Sequence, residues 1–324
     1  MKAIVRKQYG SADELEIREV PRPEPGADAV LIRVKAFGLN RAEIYMRQGL
    51  WGEVAPISGI ECVGTVAEDP AGEWQAGQTV AALMGGMGRS IDGSYAEYVA
   101  PPRSNVIPIE TDLPWEVLAA VPESYATAWA CLHQNIGIEH RDSLLVRGGT
   151  SALGQAAINI AAARGIEVLG TTRQEERLLQ LSRIGCTSPL IDTPELSQSI
   201  RESHPDGLDA VLDLVGNSTL LDSLKMVRKG GVVCTAGFLG GGDPIAFNPL
   251  ADLPSGVNLN FFASFMFGTP DFPLTDIPLQ HIVEQVEKGV YRCEPARVFG
   301  FDEIRQAHRL MESNDAGGKI VIMH

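Results

Sequence analysis

The chain has 324 residues, a formal net charge of -14, 44% hydrophobic residues and five cysteines. That length exceeds what one hydrophobic core usually fills, so two domains are expected, and the acidic balance argues against a surface that tracks nucleic-acid phosphates. Cys62, Cys131, Cys186, Cys234 and Cys293 are scattered and odd in number, "FFASFMF" is too short for a membrane span, and charges interrupt the N-terminal segment, so a cytoplasmic protein with reduced thiols is the expectation.

In chain order, the first stretch carries short strand-like runs, "MKAIVRK", "AVLIRVKAFG", "GTVAE" and "TVAALM", broken by "PRPEPGAD" and "GGMGRSIDG". One short helix, "RAEIYMRQ", follows Asn40, whose amide either caps that helix or orients a carbonyl. From residue 120 the texture changes. Buried-strand runs alternate with helical stretches through "SLLVRGG", "SALGQAAINIAAARG", "EVLGTT", "EERLLQLSRIG", "DAVLDLVG", "STLLDSLKMVRKG" and "GVVCTAG". Such alternation predicts a doubly wound parallel sheet with helices on both faces. "VNLNFFASFMF" reads as one more strand, at the sheet edge. "PLQHIVEQVEKG", "FDEIRQAHRLMESNDAGG" and "KIVIM" supply two helices and a strand whose simplest partner is the N-terminal β-rich part. The boundaries expected are 1–119 for the first part of the β-rich domain, 120–256 for the parallel-sheet domain, and 257–324 for its last strand and the return.

The turn after "SLLVR" admits two readings. As a nucleophile elbow, "GTSALG" fails because Leu153 stands where the closing glycine belongs. As a dinucleotide loop it offers Gly149, Thr150, Ser151, Ala152, Leu153 and Gly154, with serine in the middle glycine slot of G-x-G-x-x-G. The strand before it, the helix after it and the alternation beyond it select the second reading: Gly148 and Gly149 turn the chain, and Gly154 brings helix and strand together. The second strand ends in Thr172, and Arg173 follows, with Arg177 one turn on. A basic residue at that slot suits the 2′-phosphate of NADPH, where an acidic one would suit the ribose diol of NAD; a solvated helix start is the competing reading. Gly237 and Phe238, after "GGVVCTA", are placed beside the nicotinamide, Phe238 being equally at home in a core.

The stretches "AFGLNRAEIYMRQGLWGEVAPISGIECVGTV", "GGTSALG", "VLDLVGN" and "AGGKIVI", in that order, resemble the zinc-independent quinone oxidoreductases, the zeta-crystallin-like branch of the medium-chain dehydrogenase/reductase superfamily. The resemblance covers essentially the whole chain. It implies a Rossmann domain inserted into a β-rich GroES-like catalytic domain, NADPH as cofactor and a homodimer. It also places Asn40 and Ile60 where zinc-dependent relatives carry a cysteine and a histidine ligand, so no metal is expected; Glu61 remains from a "GHE"-like motif. Tyr45 matches a pocket tyrosine of similar proteins, a buried core tyrosine being the competing reading, and Trp51 stands where enoyl-reductase relatives carry a proton-donating tyrosine. Indole has no usable acidity, which weighs against the enoyl-thioester reaction. The expected activity is NADPH-dependent hydride transfer to a small quinone or α,β-unsaturated carbonyl, with Asn40 and Tyr45 orienting the substrate oxygen. An enoyl-thioester reductase and a non-catalytic NADPH-binding scaffold are the alternatives.

Overall fold

The computed structural model describes residues Met1–His324 as two compact units. The first comprises Met1–Ala126, Ser264–Lys288 and Cys293–His324; the second comprises Thr127–Ala263 and Gly289–Arg292.

In the first unit, β1 (Lys2–Arg6) and β2 (Leu15–Glu19) form an antiparallel ribbon. A larger sheet is built from β3 (Leu31–Leu39), β4 (Glu61–Glu68), β5 (Thr79–Leu83), β6 (Tyr98–Val99) and β7 (Val106–Pro108). In the second unit, β8 (Ser143–Arg147), β9 (Glu167–Thr172), β10 (Ser188–Ile191), β11 (Leu208–Asp213), β12 (Val227–Thr235) and β13 (Asn258–Phe261) make one sheet. Then β14 (Arg297–Gly300) and β15 (Ile320–Met323) complete the first unit's sheet, in the order β14-β15-β3-β4-β5-β7 with β6 also on β3. Thus "KIVIM" does pair with the N-terminal strands: Ile320, Val321 and Ile322 run antiparallel to β3 and are wholly buried. Alternating residues of β3 to β5 fill the core beneath, where Phe37 stacks on Tyr95 at 4.7 Å.

The second sheet is parallel throughout, in the order β10-β9-β8-β11-β12-β13. That is a Rossmann order, and its reversal point lies between β8 and β11, where such sheets take ligands outside the strands' carboxyl ends. Helix Ala152–Ala163 leaves β8 and buries Ala156, Ala157, Ile158, Ile160 and Ala161, the small residues allowing close approach to the sheet. The expected α/β class, a Rossmann sheet beside an antiparallel GroES-like one, is what the chain adopts. "VNLNFFASFMF" does supply the edge strand, β13. One expectation fails in extent: "STLLDSLKMVRKG" is helical only over Leu220–Ser223, because Val227 pairs with Leu208 and draws the rest into β12. Strand β10 and helix Leu196–Ser203 were not read from the sequence; Pro189 masks the one, which lies at the sheet edge. No helix is long and apolar enough to cross a membrane.

Candidate active site

The glycine-rich turn is fixed from beneath. Gly148 N–H donates to Thr171 Oγ1 at 3.0 Å and Gly149 N–H to the Thr171 carbonyl at 2.9 Å. Ser151 caps the helix: its Oγ accepts from Gly154 N–H at 3.0 Å and donates to the Gly148 carbonyl at 2.9 Å. Serine in the middle slot is therefore a cap that stiffens the loop. A Cβ on Gly154 would lie 2.5 Å from the Gly148 oxygen, so only glycine lets the helix meet the turn this closely. Ala152 and Leu153 open the first turn, where helical N–H groups have no partner within the helix. Thr150 lends its carbonyl to Gln155.

At the end of β9, Thr172 is buried, whereas Arg173 is exposed and makes no hydrogen bond or ion pair. Arg177 is half-buried. Gly237 and Phe238 follow β12, and Phe238 lies 6.0 Å from the Phe261 ring. A stiffened glycine turn, open helix N–H groups and an unpartnered arginine past the second strand fit a phosphorylated dinucleotide.

One feature of this unit was missed. Arg147, the last residue of β8, is wholly buried and its guanidinium donors are all engaged: by Asp192 at 2.7 Å, Asp222 at 2.9 Å, Ser223 Oγ at 3.2 Å and the carbonyls of Thr193 and Thr219. Thr171, which holds the glycine turn, also donates to Asp192 at 3.0 Å. Asp213, equally buried, accepts from the Val215 and Gly216 N–H groups and from Thr219 and Ser223; burial still raises its pKa. The signal was available, since an arginine inside "SLLVRGG" must find partners.

In the first unit, Asn40 N–H donates to Glu43 at 2.5 Å, closing one half of a capping box for helix Arg41–Gln48. Its side chain does something else. Nδ2 donates to Glu61 Oε1 at 2.8 Å, and Oδ1 accepts from Lys319 Nζ at 2.7 Å. Lys319 also pairs with Glu61, which is fully buried and accepts the Glu123 N–H at 2.8 Å. Burial alone would lower the Lys319 pKa; the Glu61 and Glu123 charges outweigh it, and the ammonium persists. A Cβ on Gly38 would fall 2.2 Å from Lys319 Cε and 2.5 Å from Glu61 Oε1, so the ion pair lies against a bare Cα. Both ends of the Asn40 amide are thus spent on this pair. The donor set does not fit zinc: an ammonium holds the one carboxylate, Ile60 is buried and apolar, and no group of three or more His, Cys, Asp or Glu side chains comes together. "AGGKIVI" contained the lysine, but nothing in it points to Glu61.

Tyr45 is half-buried, its pKa raised by burial, and its ring lies 5.7 Å from that of Trp51. Behind it, Glu43 is completely buried, which pushes its carboxyl up to about 8 despite two backbone donors. The Tyr95 hydroxyl meets His308 Nε2 at 3.0 Å, and His308 Nδ1 meets Arg47 Nη1 at 3.2 Å. Because arginine only donates, Nδ1 accepts and the proton sits on Nε2.

Two families match in tandem: residues 26–111 match the alcohol dehydrogenase GroES-like domain and residues 189–322 the zinc-binding dehydrogenase domain. The chain belongs to the medium-chain dehydrogenase/reductase superfamily. Within it, the chain is 27% identical to the quinone oxidoreductase of Lama guanicoe, covering 100% of this chain and 97% of that protein. It is 26% identical to a 2-haloacrylate reductase of a Burkholderia species, covering 100% and 98%. The Escherichia coli quinone oxidoreductase complexed with NADPH superposes with a TM-score of 0.88 over 100% of both chains at 19% identity, which speaks for the fold.

Proposed function

We propose that the protein is an NADPH-dependent reductase that delivers hydride to a quinone or conjugated carbonyl without a metal. The observation that carries this reading is the pairing of a dinucleotide turn with the free Arg173 in one unit, and of Lys319 with Glu61 at the zinc-ligand segment in the other. NADPH supplies a hydride from its nicotinamide, and the acceptor takes that hydride together with a proton from solvent.

The protein's own residues bind and orient. The N–H groups that open helix Ala152–Ala163, with Gly149, Thr150, Ser151 and Gly154 shaping the turn, hold the pyrophosphate; Arg173 meets the 2′-phosphate, with Thr172 and Arg177 flanking it; Gly237 and Phe238 bound the nicotinamide side. Tyr45 and Trp51 line the acceptor pocket, and the Tyr45 hydroxyl orients the acceptor oxygen. Asn40 keeps Lys319 and Glu61 in place, since its amide is taken by them. Because Lys319 holds the Glu61 carboxylate and burial makes Tyr45 a weaker acid, an electrophilic acceptor such as a quinone or enone suits these residues better than a simple ketone. The names of the two curated relatives, a quinone oxidoreductase and a 2-haloacrylate reductase, support that acceptor class.

The test is a panel of quinones and enones with NADPH and NADH, run on wild type and Arg173→Ala. Losing charge-assisted bonds to the 2′-phosphate should weaken NADPH roughly 10- to 100-fold and leave NADH nearly unchanged, with Arg177→Ala costing less. A wild type that prefers NADH, or turnover confined to crotonyl-type thioesters, would sink the reading; NADPH binding with no turnover of any acceptor would favour a scaffold. Elemental analysis should find no stoichiometric zinc. Exposed Leu259 and Phe261 on edge strand β13 support a homodimer joined sheet to sheet, which sedimentation at micromolar concentration checks. Five buried cysteines, none of them in a disulfide, support a cytoplasmic location, to be checked by cell fractionation.

A further inference from the structure

Arg89 lies in the turn "GGMGRS" of the first unit, and its backbone is fixed at both ends: its N–H donates to the Gly86 carbonyl at 3.0 Å and its carbonyl accepts from Ala55 N–H at 2.8 Å. Its guanidinium carbon stands 4.9 Å from the ring centre of Phe265 and 5.6 Å from that of Trp51, the ring that Tyr45 approaches. The side chain makes no hydrogen bond and no ion pair, and Asp92, three residues on, does not reach it. This is unusual placement for a cation in a chain of net charge -14. Ring faces hold a guanidinium through its flat face, so the N–H donors along its edge stay unspent. Phe265 and Trp51 are 52% and 40% exposed, so the group between them is open to a ligand.

We propose that Arg89 is the specificity-determining residue of the acceptor pocket and recognises a carboxylate, so that the acceptor is a conjugated carbonyl compound carrying an acidic group. This rests on the reading of Tyr45 and Trp51 as pocket residues. The planar fork meets a carboxylate through two parallel N–H donors, and the aromatic faces that flank it hold its plane without using those donors. A neutral acceptor would leave the charge unpaired; an acidic one satisfies it. The hydride step is unchanged, since the carboxylate only binds.

The experiment compares acetylacrylate with its methyl ester, a neutral acceptor of nearly the same shape, at saturating NADPH. Wild type should favour the acid in kcat/KM by about 10-fold or more, mainly through KM. Arg89→Gln should lose roughly 10- to 100-fold on the acid while turning over the ester within about twofold, and Arg89→Lys should fall between. Ester turnover reports that the variants are folded. Equal losses on both substrates, or a wild type that prefers the ester, would overturn the proposal. Calorimetry with benzoate and benzamide separates this idea from the redox reading: benzoate binding that disappears in Arg89→Gln supports carboxylate recognition even if no acceptor is reduced. Absence of benzoate binding to wild type overturns it.

Discussion

Each unit buries a cation against carboxylates, and the two do it differently. In the parallel unit Arg147 spreads its donors over Asp192, Asp222, Ser223 and two backbone carbonyls, which lie just beyond β10 and β11; Thr171 at the end of β9 joins through Asp192. One planar fork therefore ties the carboxyl ends of four strands, the edge from which the glycine turn rises. In the antiparallel unit Lys319 is a point charge with two partners, Glu61 and Asn40. It neutralises a carboxylate at one place and organises little else. The geometry of the cation decides whether burying it builds a scaffold or only balances a charge.

The sharpest way to break the comparison is Arg147→Met. It strands Asp192, Asp222 and the buried Asp213 without a counter-charge, and a broken buried pair typically costs about 3–5 kcal/mol. Denaturant unfolding should show a loss at the top of that range, and NADPH affinity should fall with it because Asp192, which anchors Thr171, loses the guanidinium that holds it. Arg147→Lys should recover only part, since an ammonium cannot serve partners on several strand ends. A lysine variant as stable as wild type would show that charge, and not the fork, matters.

Lys319→Met should cost less, about 3 kcal/mol, through the fully buried Glu61 it leaves behind. Removing both charges, with Lys319→Met and Glu61→Gln, should restore much of the loss, because an amide still accepts the Glu123 N–H and still reaches Asn40. The coupling in this double-mutant cycle sharpens the contrast; no recovery in the double variant would mean that Lys319 organises the unit as Arg147 does.

What could be read from sequence follows the same division. The parallel sheet was legible because each buried strand is a local apolar run and the turn signals sit next to it: "SLLVRGGTSALG" contains strand, turn, cap and helix start within a dozen residues. Even Arg147 announces itself there by being charged in an apolar run. The Lys319–Glu61 pair does not, because its partners are 258 residues apart and meet only when β15 docks on β3. Arg89 is invisible for a similar reason: "GGMGRS" reads as a polar turn until Phe265 arrives from the far end of the chain. The helix expected over "STLLDSLKMVRKG" was overruled by strand pairing, a tertiary preference that local periodicity does not contain.

The smallest effect, and the one that tests the antiparallel unit without removing a charge, is a pH dependence. Burial, aided by the Arg47 charge beside it, pushes the His308 imidazole down to about 3, against 6.5 for the free side chain. Between those values the unfolded chain binds a proton that the folded one refuses, so the His308 contribution to folding stability is full above about pH 6.5 and is lost as the pH drops toward 3. The slope is at most about 1.4 kcal/mol per pH unit for one proton. Glu43 works in the opposite sense: its raised pKa means stability falls as pH rises from 4.5 toward 8. His308→Gln keeps an acceptor for Arg47 and a donor for Tyr95 but cannot be protonated. The stability difference between wild type and His308→Gln, measured by urea unfolding across pH 4 to 7, should therefore shrink or reverse on the acid side and level off near neutrality. His324, also held neutral by burial, down to about 4, cancels in that difference because both proteins carry it. A difference that stays flat across the whole range would mean that His308 takes up its proton while folded, and that the Arg47–His308–Tyr95 chain opens to admit water.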